Sequence, residues 1–217
     1  FLATYAEIDG WSPRSDAAAG GIVQGDNVLD RWILSRLQTL KRTVATEMEG
    51  YRLYNVVPRL FEFIEELTNT YIRLNRARFW GGEAGEAAAD KFAAYGTLYT
   101  CLLELSQTMA PFAPFLSETL YRRLRALGGT EDAGLPESVH LCRYPLPDAA
   151  REDTALETAV DRMNQIILLG RQKREEKKIG VRQPLARLTV IHRDEALLAE
   201  IAALEGYIAS ELNVKRV

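Results

Sequence analysis

Apolar residues recur along this chain at spacings of three and four, with polar residues filling the gaps. Leu29, Ile33, Leu37, Leu40 and Val44 follow spacings of four, four, three and four, so they share one face of a helix. Asp26 or Asn27 can cap its start, and Gly50 can end it. Leu53, Val57, Leu60, Ile64, Leu67 and Tyr71 form a second stripe. It predicts a helix running to Trp80, where Gly81 and Gly82 stop it. Pro58 lies near its start, where a first turn tolerates proline, so regular helix begins around Asn55 or Val56. Phe92, Tyr95, Tyr99, Leu102, Leu103 and Leu105 line a third helix over about 86–109. Pro111 and Pro114 break the chain before a fourth, about 114–127, which Gly128 and Gly129 close. A fifth, about 153–178, carries Leu156, Val160, Met163, Ile167 and Leu168.

The two ends have a different texture. Residues 1–26 sustain no period and are punctuated by Gly10, Pro13, Gly20, Gly21 and Gly25. The tail carries β-branched residues over 188–191, a helical stretch over 195–212 and a possible second strand over 213–217. The pattern therefore predicts a mainly α protein, a bundle of about five helices with a small C-terminal α+β appendage. Residues 1–26 read as a linker, 27–179 as the bundle and 180–217 as the appendage.

Composition fits this picture. Of 217 residues, 47% are hydrophobic and 26% charged, an ordinary globular balance. The apolar runs are too short to cross a bilayer, so no membrane partner is expected. Two cysteines, Cys101 and Cys142, make no disulfide framework and read as reduced thiols of a cytoplasmic protein. The chain opens Phe1-Leu2-Ala3 without an initiator Met or leader pattern, and so reads as an internal piece. The net charge of -3 argues mildly against a non-specific nucleic-acid binder. Local charge changes that reading. Residues 67–82 contain no acid but include Arg73, Arg76 and Arg78, and 171–182 hold six basic residues against Glu175 and Glu176.

No P-loop, dinucleotide glycine pattern or nucleophile elbow is present, so no catalytic residue is assigned. Cys101 falls among core positions and reads as a buried structural thiol. His140 and Cys142 form a lone pair, too few for a zinc site, and His192 has no partner in sequence; no metal is expected. The candidate chemistry lies at the end of the second helix. Arg73 and Arg76 are three apart and share a face, while Asn75, Arg78, Phe79 and Trp80 crowd the helix end. Guanidinium forks suit phosphates and bases, and aromatic rings stack on unpaired bases. Basic residues near a helix C-terminus also complement its dipole, and chemistry alone leaves both readings open. Arg31 and Arg36 flank Trp32 on the first helix, and the run 171–178 reads as a charged, exposed face.

These segments resemble a known family, in order and over nearly the whole chain. Tyr5-Ala-Glu-Ile-Asp-Gly-Trp11 is similar to the linker leaving the catalytic domain of isoleucyl-tRNA synthetases, and Asp30-Arg-Trp-Ile-Leu-Ser-Arg-Leu37 to the start of the anticodon-binding bundle in class Ia synthetases. Tyr51-Arg-Leu-Tyr-Asn-Val-Val-Pro-Arg-Leu60 resembles the eukaryotic-like branch of the isoleucine enzymes. Tyr71-Ile-Arg-Leu-Asn-Arg76 with Arg78 is similar to the family's basic helix end. Met109-Ala-Pro-Phe-Ala-Pro-Phe-Leu116, Leu169-Gly-Arg171, Lys178-Ile179, Val181-Arg-Gln-Pro-Leu185 and Glu211-Leu-Asn-Val-Lys215 complete the series. Departures stand at Thr70, where the family often has Trp, at Leu74 and Ala77, where it often has further basic residues, and at Gly180, where it has a larger one.

The resemblance implies a tRNA anticodon-recognition module of an isoleucine-tRNA ligase, separated from its catalytic and editing domains. The parent would use ATP and magnesium, and this piece would hold no cofactor. The partner implied is the anticodon stem-loop of isoleucine tRNA. The tRNA-binding residues implied are Asn27, Arg31, Arg73, Asn75, Arg76, Arg78 and Trp80. The alternatives are the equivalent domain of a valine or leucine enzyme, or a helical protein-interaction module that binds no RNA.

Overall fold

The computed structural model describes residues 1–13, 25, 27–81, 85–128 and 135–217. Among them the chain is mainly α. The helices are α1 (Leu2–Ile8), α2 (Val28–Glu49), α3 (Leu53–Glu65), a π-helical segment (Glu66–Ile72), α4 (Arg76–Trp80), α5 (Glu86–Met109), α6 (Pro114–Leu127), α7 (Thr154–Glu176), α8 (Glu195–Ala202) and α9 (Glu205–Leu212). Two compact units divide the chain, residues 1–152 and 153–217. The expected boundary near 180 falls inside the second unit, because α7 packs with α8 and α9.

In the first unit α2 is the central helix. Asn27 begins it, its side chain accepting the N–H of Leu29 at 2.9 Å; the other cap candidate, Asp26, lies outside the described residues. The α2 stripe is buried as its spacing predicts: Leu29, Ile33, Leu37, Leu40 and Val44 all lie in the core, with Trp32. α2 packs on α3 and α5, and α5 on α6. Lys41, nearly buried, ties α2 to α5 through Glu104 at 2.7 Å. Gly50 follows α2, but the left-handed residue is its neighbour Tyr51, with φ of 55°.

The second stripe needs correction in register. Leu53 is 51% exposed and Val57 41%, whereas Val56, Leu60, Phe63, Leu67 and Tyr71 are buried. The inward face runs through Val56 because the early turns of α3 lie at the surface. The helix is also not continuous to Trp80. It widens into π-helix over Glu66–Ile72, breaks at Asn75 (φ −92°, ψ 9°) and restarts as α4.

The N-terminal stretch is not wholly irregular: α1 is helical, with Leu2 and Ala6 buried four residues apart. Its end is anchored at Asp9, which pairs with Lys91 at 2.6 Å and accepts the Tyr95 hydroxyl at 2.5 Å. Trp11 then packs against Tyr95 and Tyr99, with ring centroids 5.7 and 6.0 Å apart.

The second unit contains less β structure than its sequence suggests. Among the described residues, the segments near 188–191 and 213–217 form no named strand. A single parallel bridge joins Leu185 and Val214, with Leu185 N donating to Asn213 O and Lys215 N to Leu185 O, each at 3.0 Å. The 195–212 stretch is broken between Ala202 and Glu205 into α8 and α9. Gly170 lets α9 approach α7: a Cβ there would meet Leu212 Cδ1 at 2.4 Å. Arg174 departs from the expected exposed basic face. It is buried, and its Nη2 donates to the carbonyls of Gly180, Val181 and Gln183. The Asn213 amide donates to Val181 O and Arg182 O at 3.0 and 3.1 Å. The carbonyls of 180–183 are thus satisfied without a sheet.

Candidate nucleic-acid interface

The expected RNA-facing residues separate into two kinds. Arg31, Arg73, Arg76 and Trp80 are exposed. Arg76 sits over the Trp80 ring, its guanidinium carbon 4.5 Å from the centroid, a cation–π pair one helical turn long. Trp80 is 50% exposed and leans on Tyr5 of α1, with centroids 6.4 Å apart. Its neighbour Phe79 is wholly buried, stacked on Tyr95 at 5.8 Å and edge-on to Tyr71 at 6.2 Å. Adjacent aromatics thus divide the work: Phe79 roots α4 in the core and Trp80 presents a ring outside it.

Asn75 and Arg78 have partners inside the protein. Asn75 is 1% exposed; its amide donates to Tyr71 O at 3.0 Å and its Oδ1 accepts from Arg78 Nη1 at 3.1 Å. Arg78 forks onto Asp30, with Nη1 at 2.9 Å from Oδ1 and Nη2 at 2.8 Å from Oδ2, and also binds the Asp90 carboxylate at 2.7 and 2.8 Å. Burial alone would lower the basicity of Arg78. The hydrogen bonds from Asp30 and Asp90 outweigh it and hold the guanidinium above its ordinary value. The Tyr71 hydroxyl donates to Asp30 at 2.6 Å, and burial, then the Asp30 charge, push its phenol well up. Asp30 itself was absent from the sequence-based set. In sequence it opens the Asp30–Leu37 segment that carries the resemblance and lies in the first turn of α2, where an acid favours the helix dipole, but neither feature points to Arg78 as its partner.

Asn27, capping α2, stands three residues before Asp30, and Arg31 directly follows it. The other charged α2 residue weighed from sequence, Arg36, is bound to Glu66 of the π-helical segment. Elsewhere in this unit, Cys101 is fully buried, and burial pushes its thiol well up. Cys142 follows the 3-10 turn Val139–Leu141, donating to the Tyr121 hydroxyl at 3.2 Å. No group of three His, Cys, Asp or Glu side chains suited to a metal ion occurs among the described residues.

The arrangement is an exposed face of guanidinium and indole groups at the junction of two helix ends, braced from inside by an ion-paired carboxylate. Such a face can grip phosphate and stack bases. A profile for the anticodon-binding domain of tRNA ligases matches residues 30–191. The chain belongs to that family. Relatives of the chain are named isoleucine–tRNA ligases. The protein of Bdellovibrio bacteriovorus is 43% identical over 218 residues, covering 100% of this chain and 19% of its own. The cytoplasmic proteins of Saccharomyces cerevisiae and Arabidopsis thaliana are 44% and 45% identical, over 90% and 89% of this chain and 18% and 16% of theirs. The chain therefore spans less than a fifth of the length of these relatives. No helix among the described residues is long and apolar enough to cross a membrane.

Proposed function

We propose that this anticodon-binding domain recognises the anticodon stem-loop of isoleucine tRNA for a cytoplasmic ligase that attaches isoleucine using ATP and magnesium. The support is the family membership together with relatives that carry the isoleucine name. The observation that carries the RNA contact is the exposed Arg76–Trp80 pair beside Arg73 at a helix end. Arg73, Arg76 and Arg31 take phosphates or base edges, Trp80 stacks an unpaired base, and Asn27, which caps α2, joins them in the contact. Asn75 and Arg78, whose polar groups are engaged within the protein, hold that end in place.

Direct binding measures this. Fluorescence anisotropy with labelled anticodon stem-loops is expected to rank isoleucine above valine and leucine sequences. Arg73→Ala and Arg76→Ala are expected to weaken all of them by similar factors where the contact is to phosphate. A preference for the valine or leucine loop would reassign the domain within the family. No binding of any loop, with wild-type helicity retained, would make the exposed face a protein-docking surface instead. The catalytic chemistry belongs outside this piece, so the purified chain is expected to show no isoleucine-dependent exchange of pyrophosphate into ATP.

A further inference from the structure

Asp30 is 0% exposed, yet its carboxylate accepts three hydrogen bonds from two other segments of the chain. Tyr71 reaches it from the π-helical segment and Arg78 from α4, while Arg78 carries the link on to Asp90 of α5. The backbone closes over the same point. A Cβ at Gly25 would lie 1.9 Å from Asp30 Oδ2 and 3.3 Å from Arg78 Nη2, so no larger residue fits there without displacing the pair.

A buried ion pair is a poor device for stability alone. Desolvation offsets most of its attraction, and apolar side chains of similar volume often hold helices together as well or better. What it supplies is geometry. The guanidinium fork meets the carboxylate in one bidentate arrangement, and rotation or sliding of α4 on α2 breaks both bonds. The π-helical turn before it serves the same end, since it carries Tyr71 onto the carboxylate. Widened turns of this kind recur at functional sites.

The hub members alternate along the chain with the exposed candidates for RNA contact. Asp30 stands between Asn27 and Arg31. Tyr71 and Asn75 flank Arg73. Asn75 and Arg78 flank Arg76. We propose that Asp30 is a positioning residue for anticodon discrimination, fixing the start of α2 against α4 through Arg78 so that both sets of exposed groups engage one loop. It touches no RNA itself. The inference rests on the proposed RNA-binding reading of this face.

The test uses the whole chain, a fluorescein-labelled isoleucine anticodon stem-loop and the same hairpin with its anticodon bases exchanged. Asp30→Asn keeps size and one acceptor but removes the charge. It is expected to weaken the isoleucine hairpin by about tenfold or more and to bring the ratio of the two affinities close to one. Arg78→Lys keeps the charge and loses the fork, and is expected to lower the same ratio by a smaller factor. It also serves where Asp30→Asn does not fold. A purely structural role predicts otherwise: a smaller fraction of binding-competent chain in the titration, with the ratio of affinities unchanged. That result in both variants overturns the proposal. Arg73→Ala and Arg76→Ala are measured alongside. If they weaken binding while Asp30→Asn and Arg78→Lys leave the ratio intact, positioning fails and the RNA face stands. If neither group of variants changes binding, the RNA-binding reading of the face fails, and the positioning role fails with it.

Discussion

Arg76 and Arg78 look alike in sequence, two residues apart in one basic stretch. Their partners separate them: Arg76 lies over an exposed indole, and Arg78 is held between two carboxylates. That difference was not legible from local pattern, because Asp30 is 48 positions away in the chain and Asp90 is 12. The partners of Asn75 were hidden for a related reason. An Asn in a basic segment suggests base recognition, but here its amide is spent on the carbonyl of Tyr71, where the helix breaks. Gly25 tests the packing of the same cluster. Gly25→Ala places a methyl where the Asp30 carboxylate lies, and overpacking of this kind costs about 1–3 kcal/mol. A fall in chemical-denaturation midpoint at unchanged slope is the expected result; a midpoint equal to wild type would mean the backbone at 25 yields freely. Cysteine reactivity follows from burial in the same way. Cys142, partly exposed, is expected to alkylate with maleimide in the native state well before Cys101, whose thiol is both buried and pushed upward.

At the scale of elements, the sequence was most informative where a long period met unambiguous punctuation. The expected α5 and α6 agree with Glu86–Met109 and Pro114–Leu127, because Pro111 and Pro114 leave the chain few alternatives between them. α2 was equally legible, its stripe unbroken. Elements whose structure depends on distant partners were not. α1 spans only seven residues and could not be told from linker, since its hold on the core comes through Trp11, Asp9 and the tyrosines of α5. The tail misled in the opposite direction. β-branched residues over 188–191 favour a strand, but the pairing with 213–217 stops at one bridge at Leu185 and a single further bond from Leu188 N to Arg216 O at 2.9 Å, too little to make a strand. The α1 anchor carries a pH signature. Burial opposes ionisation of Asp9, but the hydrogen bonds from Lys91 and Tyr95 and the Lys91 charge outweigh it and hold its pKa below the ordinary value. The carboxylate therefore contributes stability that is fully present above the ordinary Asp range and is lost as pH falls through that range and then through the lowered value. Thermal midpoints from about pH 5 down to about pH 2 are expected to fall less steeply for Asp9→Asn than for wild type. Parallel curves would show that the Asp9–Lys91 contact contributes nothing to the folded state.

For the whole molecule, the balance of charge constrains how it can bind RNA. A net charge of -3 gives no general attraction to a polyanion, so affinity must come from a few placed cations. The exposed guanidinium groups assigned to the interface are Arg31, Arg73 and Arg76. Each phosphate neutralised on a single-stranded loop contributes about -0.7 to the slope of log affinity against log salt, and on duplex about -0.9. Three such contacts give a slope of roughly -2 to -3, shallow beside a protein that wraps a nucleic acid with many lysines. Replacing any one of the three with Ala is expected to flatten the slope by roughly one contact's share, provided that residue meets phosphate. A residue that reads a base instead lowers affinity for the isoleucine hairpin and leaves the slope nearly unchanged. Binding of the labelled stem-loop titrated from low to physiological salt distinguishes these outcomes for each arginine separately. A slope far steeper than three contacts allow would require cations beyond this face, with the basic residues of α7 as the next to vary. A flat profile, with binding retained, would leave stacking on Trp80 as the principal contact, and Trp80→Ala would then abolish binding where the arginine variants do not.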